Sequence, residues 1–213
     1  MSPAQRAATR RELLTSGAAA GGALLAVPAV AAAASGGGTA ASRGARSADG
    51  APGDGGHLAR VLSMSVLAAY VYEQVFAEGV LTGTRRRAVS SFEDQERAHV
   101  AELRRAVLDA GATVVGPPSS TVVANRYLAH RQIPGRLGQL QSPEDALDLL
   151  IDVERSSIGS CYVALLRLTG PETILLVARI MANDSQHEAL VTLQRHALKL
   201  AAAAPYALVS GSH

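Results

Sequence analysis

From His57 onward, apolar residues recur at steps of three and four, the repeat of helices that each bury one face. Leu58, Leu62, Val66, Ala69, Phe76 and Val80 predict a first helix over about 57–81, which the stretch TGTRRR then breaks. Ser90 and Ser91, with Glu93 and Asp94 three positions on, read as the cap of a second helix. That helix carries Val89, Phe92, Leu103, Ala106 and Ala110 as far as Gly111. In SPED, Ser142 is the expected cap of a third helix, Pro143 its first residue and Asp145 the reciprocal partner. The third runs through Leu147, Leu150, Cys161 and Leu168 to Gly170. Pro171 starts a fourth, with Ile174, Val177, Met181, Val191 and Leu198 ahead of an alanine run and Pro205. About 30 residues separate the second helix from the third, too many for a hairpin turn. A four-helix bundle made of two hairpins has use for one connection that spans its length. The pattern therefore predicts an all-α domain over 57–204, a four-helix bundle with a long crossover between helices 2 and 3, which run parallel. Residues 205–213 are left as a C-terminal tail.

The chain of 213 residues is 48% hydrophobic and 18% charged, enough apolar material for one buried core. With no Trp and two Phe, that core must be thin aliphatic packing between closely spaced elements, which suits helices. Residues 1–34 stand apart. Arg10 and Arg11 in TRRELL, followed by the weakly apolar GAAAGGALLAVPAVAAAA, resemble a twin-arginine export signal, with cleavage expected after Ala34. The alternative is an uncleaved anchor, although the apolar run is short and broken by Gly. Export would place the protein in the periplasm, in the cell envelope or outside the cell. Residues 35–56 are rich in Gly, Ala and Ser and read as a flexible tether. Removing 1–34 takes away Arg6, Arg10, Arg11 and Glu12, so the whole chain's formal charge of +2 becomes zero. With no basic stripe interleaved with aromatics, nucleic acid is not an expected partner. The single Cys161 cannot form an internal disulfide and reads as a small buried hydrophobe.

Ionisable groups interrupt the apolar faces. Glu73 falls between Ala69 and Phe76 on the first stripe, Glu96 and His99 on the second, Glu154 on the third, and Asp184 and His187 on the fourth. Residues three apart share a helix face, so each acid-x-x-His pair can aim at one point. At about 1.5 Å per residue, a tight hairpin between the third and fourth helices sets Glu154 and Asp184 roughly 3 Å apart in height. Glu73 and Glu96 differ by roughly 5 Å. Arg97, Arg155 and Arg179 sit about 100° or more around their helices, so no arginine answers these acids. Four carboxylates and two neutral imidazoles would balance two divalent cations, and such oxygen and nitrogen ligands suit iron or manganese, with zinc a further option.

This set resembles the ferritin-like di-iron carboxylate proteins, above all rubrerythrin-type and exported bacterial ferritin-like domains. The resemblance implies Glu73, Glu96, His99, Glu154, Asp184 and His187 as metal ligands, with Glu96 and Asp184 as the bridging candidates. No catalytic group is implied beyond the ligands. Asp184 is one methylene shorter than the family's Glu, and Glu188 one turn on is an alternate ligand. Tyr70, Tyr72 and Tyr162 lie near the stripes as candidates to support the ligands, or simply to pack. His130 and His196 lack an acidic partner at ligand spacing and read as surface residues. The implied activity is oxidation by O2 or peroxide, or oxidation of Fe2+, in an exported protein for which a homodimer is one option. Two alternatives stand beside it: a non-enzymatic envelope bundle with an empty or structural site, and an iron-storing cage.

Overall fold

The computed structural model describes residues 53–134, 136–197 and 199, and these form helices, turns and loops with no strand among them. The expected export signal 1–34, most of the tether 35–56, Leu198 and the tail 205–213 lie outside the described residues. The helices are α1 (Asp54–Glu78), α2 (Gly83–Val89), α3 (Phe92–Asp109), α4 (Thr121–His130), α5 (Pro143–Leu165) and α6 (Pro171–Arg195). None of them is long and apolar enough to cross a membrane. The four long ones make the expected bundle.

Contacts at the helix ends fix their directions. A Cβ on Gly55, in the first turn of α1, would stand 2.9 Å from the Ala112 Cβ and 3.2 Å from the Ala110 carbonyl oxygen, so α1 begins where α3 ends. Only glycine permits that approach. Asp54 meets Thr169 and Gly170, so the α5–α6 turn is at the same end. Arg195, the last residue of α6, pairs with Asp148 near the start of α5, at the other end. Consequently α1 and α3 are antiparallel, α5 and α6 are antiparallel, and α3 runs parallel to α5, as the crossover requires.

The crossover is more structured than its sequence predicts. Ser120 caps α4 by accepting from the Val123 N–H at 3.3 Å, and Ala124 and Leu128 turn fully inward. Asn125 then clips the chain that follows, donating to the Leu137 carbonyl at 3.0 Å and accepting from its N–H at 3.2 Å. Ile133, Leu137 and Leu140 complete a packed strap along the bundle.

Two local expectations need correction. TGTRRR does not simply break the chain: after a left-handed turn at Gly79 (φ 71), Gly83–Val89 winds into α2. Arg86 lies 4.9 Å above the Phe76 ring and donates to the Phe76 carbonyl, while Arg85 pairs with Glu144 at 2.7 Å. These contacts give the arginine run a folded use. Ser90 and Ser91 do not cap α3, because α2 leads almost directly into it. Ser91 has helical backbone angles and makes no side-chain cap, and the Ser90 hydroxyl donates to the Arg87 carbonyl. The Ser142 cap does form, accepting from the Asp145 N–H at 3.1 Å, and Asp145 answers one residue earlier than expected, at the Gln141 N–H.

The apolar core forms two layers. One contains Tyr72, Val75, Phe92, Leu147, Leu150 and Val191; the other contains Leu58, Leu62, Leu103, Cys161, Val177 and Ile180. In the sequences of α3, α5 and α6, the residues between the two layers include buried ionisable ones, Glu96, Glu154, Asp184 and His187, whereas α1 places only Ser65 there.

Asp54 closes the far end. Its carboxylate accepts from the Thr169 and Gly170 N–H groups and from the Thr169 and Thr173 hydroxyls, at 2.9–3.0 Å. Partial burial pushes its pKa up, but these donors outweigh it and hold the group below its ordinary value. That contribution is present above the ordinary carboxylate range and lost as pH falls through the lowered pKa. Asp54→Ala should cost about 1–2 kcal/mol at pH 7, given the group's exposure, and less at pH 3, read by urea denaturation at both pH values.

Candidate metal centre

At mid-height, α3 and α6 each turn an acid and an imidazole into the core, and α5 turns an acid. Glu96, Glu154 and Asp184 are fully buried and His187 is 1% exposed. One ligand atom from each of these four lies within 4.8 Å of all the others. His99 joins on one side, its Nδ1 at 3.4 Å from both Glu96 Oε1 and Asp184 Oδ1. His187 Nδ1 lies 3.4 Å from the same Glu96 oxygen and 3.3 Å from Glu154 Oε1. The cluster thus has two halves, His99 with Asp184 and His187 with Glu154, and Glu96 is common to both.

These spacings are long for hydrogen bonds. Both oxygens of Glu96, Glu154 Oε2, Asp184 Oδ1 and the Nδ1 atoms of both histidines are buried without a hydrogen-bond partner. Such groups cost free energy unless something answers them, and six converging lone-pair atoms of mixed oxygen and nitrogen type fit a cation. Among the described residues, no arginine does so. Arg97 pairs with Glu93 at 2.5 Å, Arg155 with Glu188 at 3.0 Å, and Arg179 with Glu102.

The electrostatics carry the same strain. Burial raises Asp184 to about 7, helped by the charges of Glu96 and Glu154. Burial also raises Glu154. Glu96 is pushed up by burial too, but the imidazoles of His187 and His99 prevail and hold it below its ordinary value. Burial opposes the charged form of His187, yet Glu154 and Glu96 raise it to about 9, and His99 is raised by Glu96 and Asp184 in the same way. In the metal-free protein, protons on these groups balance the carboxylates.

The surrounding side chains fix the ligands. Gln95 Oε1 lies 2.8 Å from His187 Nε2, so with the amide oxygen facing the ring that nitrogen carries the hydrogen and Nδ1 of the neutral ring keeps its lone pair. Phe92 stacks on His187 with ring centres 4.1 Å apart. Ser157 donates to Asp184 Oδ2 at 2.6 Å, and the fully buried Tyr72 donates to Glu154 Oε1 at 2.6 Å. Ser157 sits three residues after Glu154, a same-face spacing that could have pointed to it. Gln95 gives no such signal, since its partner is on another helix.

Other expected positions fall elsewhere. Glu73 is exposed and lies 3.8 Å from Arg97, outside the cluster, because α1 turns the neighbouring Tyr72 inward in its place. Glu188 is engaged by Arg155 and is not turned toward Asp184. Tyr70 is half-buried on the surface beside Glu73, and Tyr162 is 57% exposed. Of the three tyrosines, only Tyr72 has a hydrogen bond to the cluster. His130 and His196 are exposed.

No curated protein and no solved structure matches the chain significantly. The family model of the ferritin-like domain matches residues 58–196, which take in α3, α5 and α6, all but the first four residues of α1, and the whole buried cluster. With the bundle, its long crossover and a buried Glu/Asp/His cluster able to hold a metal, the chain belongs to the ferritin-like domain family.

Proposed function

We propose that this protein is an exported di-metal oxidoreductase that uses the cluster to hold two iron or manganese ions. The observation that carries this reading is Glu96: both its oxygens are buried without a partner, and Oε1 lies 3.4 Å from the Nδ1 atoms of both His99, which faces Asp184, and His187, which faces Glu154. The ions would supply one-electron redox chemistry toward O2, peroxide or Fe2+.

The chain's own contribution is geometric and protic. Glu96 would be shared between the two halves. Gln95 and Phe92 hold the His187 ring with Nδ1 turned inward, and Ser157 fixes Asp184. Tyr72 donates its hydroxyl proton in a hydrogen bond to Glu154 Oε1, and its own ionisation is suppressed by burial and by the Glu154 charge. The apolar layers on both sides exclude bulk water. A twin-arginine leader suits such a protein, since that route moves folded chains and would allow metal loading before export.

A second reading, a non-enzymatic bundle with a structural metal, draws on α1. With Tyr72 in place of an inward carboxylate, the cluster has three acids where the resemblance implies four. Metal content tests the first reading. Protein purified without chelator from cells given iron and manganese should carry about two metals per chain, and the Glu96→Ala/His187→Ala variant none. A well-folded parent without metal would sink the proposal; bound metal that never reacts with O2 or peroxide would favour the second reading.

A further inference from the structure

The cluster is closed on nearly every side. Glu96, Glu154, Asp184 and His187 show at most 1% of their side-chain surface, whereas His99 shows 12%. His99 lines a cavity of about 260 Å³ between α3 and α6, with Gln95, Ala98 and Glu102 from α3 and Arg179 and Asn183 from α6. This is the loosely packed side of the bundle: α1 packs closely on α3 and on α5, and α5 on α6, while α3 and α6 meet only sparsely. Two of the cavity's walls reach the site, since His99 faces Glu96 and Asp184, and Gln95 holds His187.

Outward along the same groove, Glu102 also lines a larger cavity of about 620 Å³, whose lining includes Asp54, Asp109 and Glu172. Among the described residues Arg105 is the one cation in its lining, so the outer cavity carries a negative surplus that concentrates cations. Where the two cavities share Glu102, Arg179 reaches across from α6 and pairs with it. The pair is half-exposed, and exposed ion pairs are weak enough to open as side chains move.

We propose that hydrated divalent cations reach the buried cluster along the α3–α6 groove past His99, and that the Glu102–Arg179 pair is the gate on that path. The inference rests on the metal-binding reading above. With the gate closed, the Arg179 charge stands across the path and opposes a cation. With it open, the Glu102 carboxylate faces the groove and draws the cation inward. A gate changes a barrier and not the end states, so it must alter uptake and release by the same factor and leave affinity unchanged.

The test uses the full chain, stripped of metal, with Co2+ as the probe because its absorption reports capture by the cluster without oxidation. Uptake is followed by stopped flow and release by dilution into excess chelator. In Arg179→Ala both rates should rise by the same factor, about tenfold, with an unchanged Kd. In Ala98→Trp, which places a large side chain at an exposed position on the cavity wall, both should fall together. Circular dichroism checks that the variants keep the parent's helix content. If the parent binds cobalt while both variants load and release at the parent's rates, the path is wrong and the metal site stands. A change confined to release, with a shifted Kd, would also overturn the gate. A parent that takes up no cobalt would overturn the metal-binding reading and the path with it.

Discussion

Metal affinity should climb steeply with pH: about a hundredfold per unit below 7, about tenfold per unit between 7 and 9, and little above. The slope counts the protons that the metal must displace. In the metal-free protein Asp184 holds a proton up to about 7, because burial and the neighbouring Glu96 and Glu154 disfavour its charge. His187 holds one up to about 9: burial opposes this, but Glu154 and Glu96 overcome it. Both must be lost before Oδ1 and Nδ1 can bind a cation. Below 7 two protons leave per binding event, and between 7 and 9 one leaves. Competition titrations with a chromophoric chelator from pH 6 to 9 would read the slope, and calorimetry in buffers of different ionisation enthalpy would count the protons. A flat profile would mean that the cluster binds no metal through these atoms.

Asp184→Asn should stabilise the metal-free protein and destabilise the metal-bound one. Without metal at pH 8, the native fold holds Asp184 ionised beside Glu96 and Glu154. The amide removes that charge and can still accept from Ser157, a gain of about 1–3 kcal/mol. The same raised pKa fixes the parent's pH dependence. Between the ordinary Asp pKa of 3.8 and about 7 the folded state holds more protons than the unfolded one, so stability falls as pH rises. His187 acts in the same direction: its contribution is complete below its ordinary 6.5 and is lost as pH passes about 9. Metal reverses the balance. At a thousand times its Kd it adds about 4 kcal/mol, which for a domain of this size raises Tm by roughly 8–16 °C. Asp184→Asn should lose most of that rise. Thermal melts of both proteins with and without Mn2+ would show the crossing. A variant less stable than the parent in both states would make Asp184 a structural hydrogen-bond anchor instead of a ligand.

The bundle was legible in the sequence because three of its helices show a clear face. In α3, α5 and α6 the charged residues that interrupt the stripe lie between unmistakable apolar neighbours, such as Val153 and Cys161 around Glu154. α1 is different. Val61, Leu62, Met64, Ser65, Val66, Leu67 and Ala68 are all buried, so more than half its circumference is covered and no single face can be read. In such a helix the spacing of Glu73 from Ala69 and Phe76 does not tell which way it points, and the neighbouring Tyr72 takes the inward position. α4 and α2 were hidden for another reason. Neither has a repeating stripe, and α2 is rich in arginines whose partners, Glu144 and the Phe76 ring, are distant in sequence or lie beyond a turn. Gln95 is the hardest case, since what distinguishes it from any solvated glutamine is a histidine 92 positions away.

The placement of the helix ends has a mechanical consequence. The described chain begins at the end of the bundle where Asp54 grips the α5–α6 turn, and α6 finishes beside Asp148 at the opposite end, about 37 Å away for a 25-residue helix. A pull on the two ends of the domain would therefore act along the helix axes. α1 and α6 would have to slide lengthwise against their neighbours, breaking many side-chain contacts at once, and could not peel away one turn at a time.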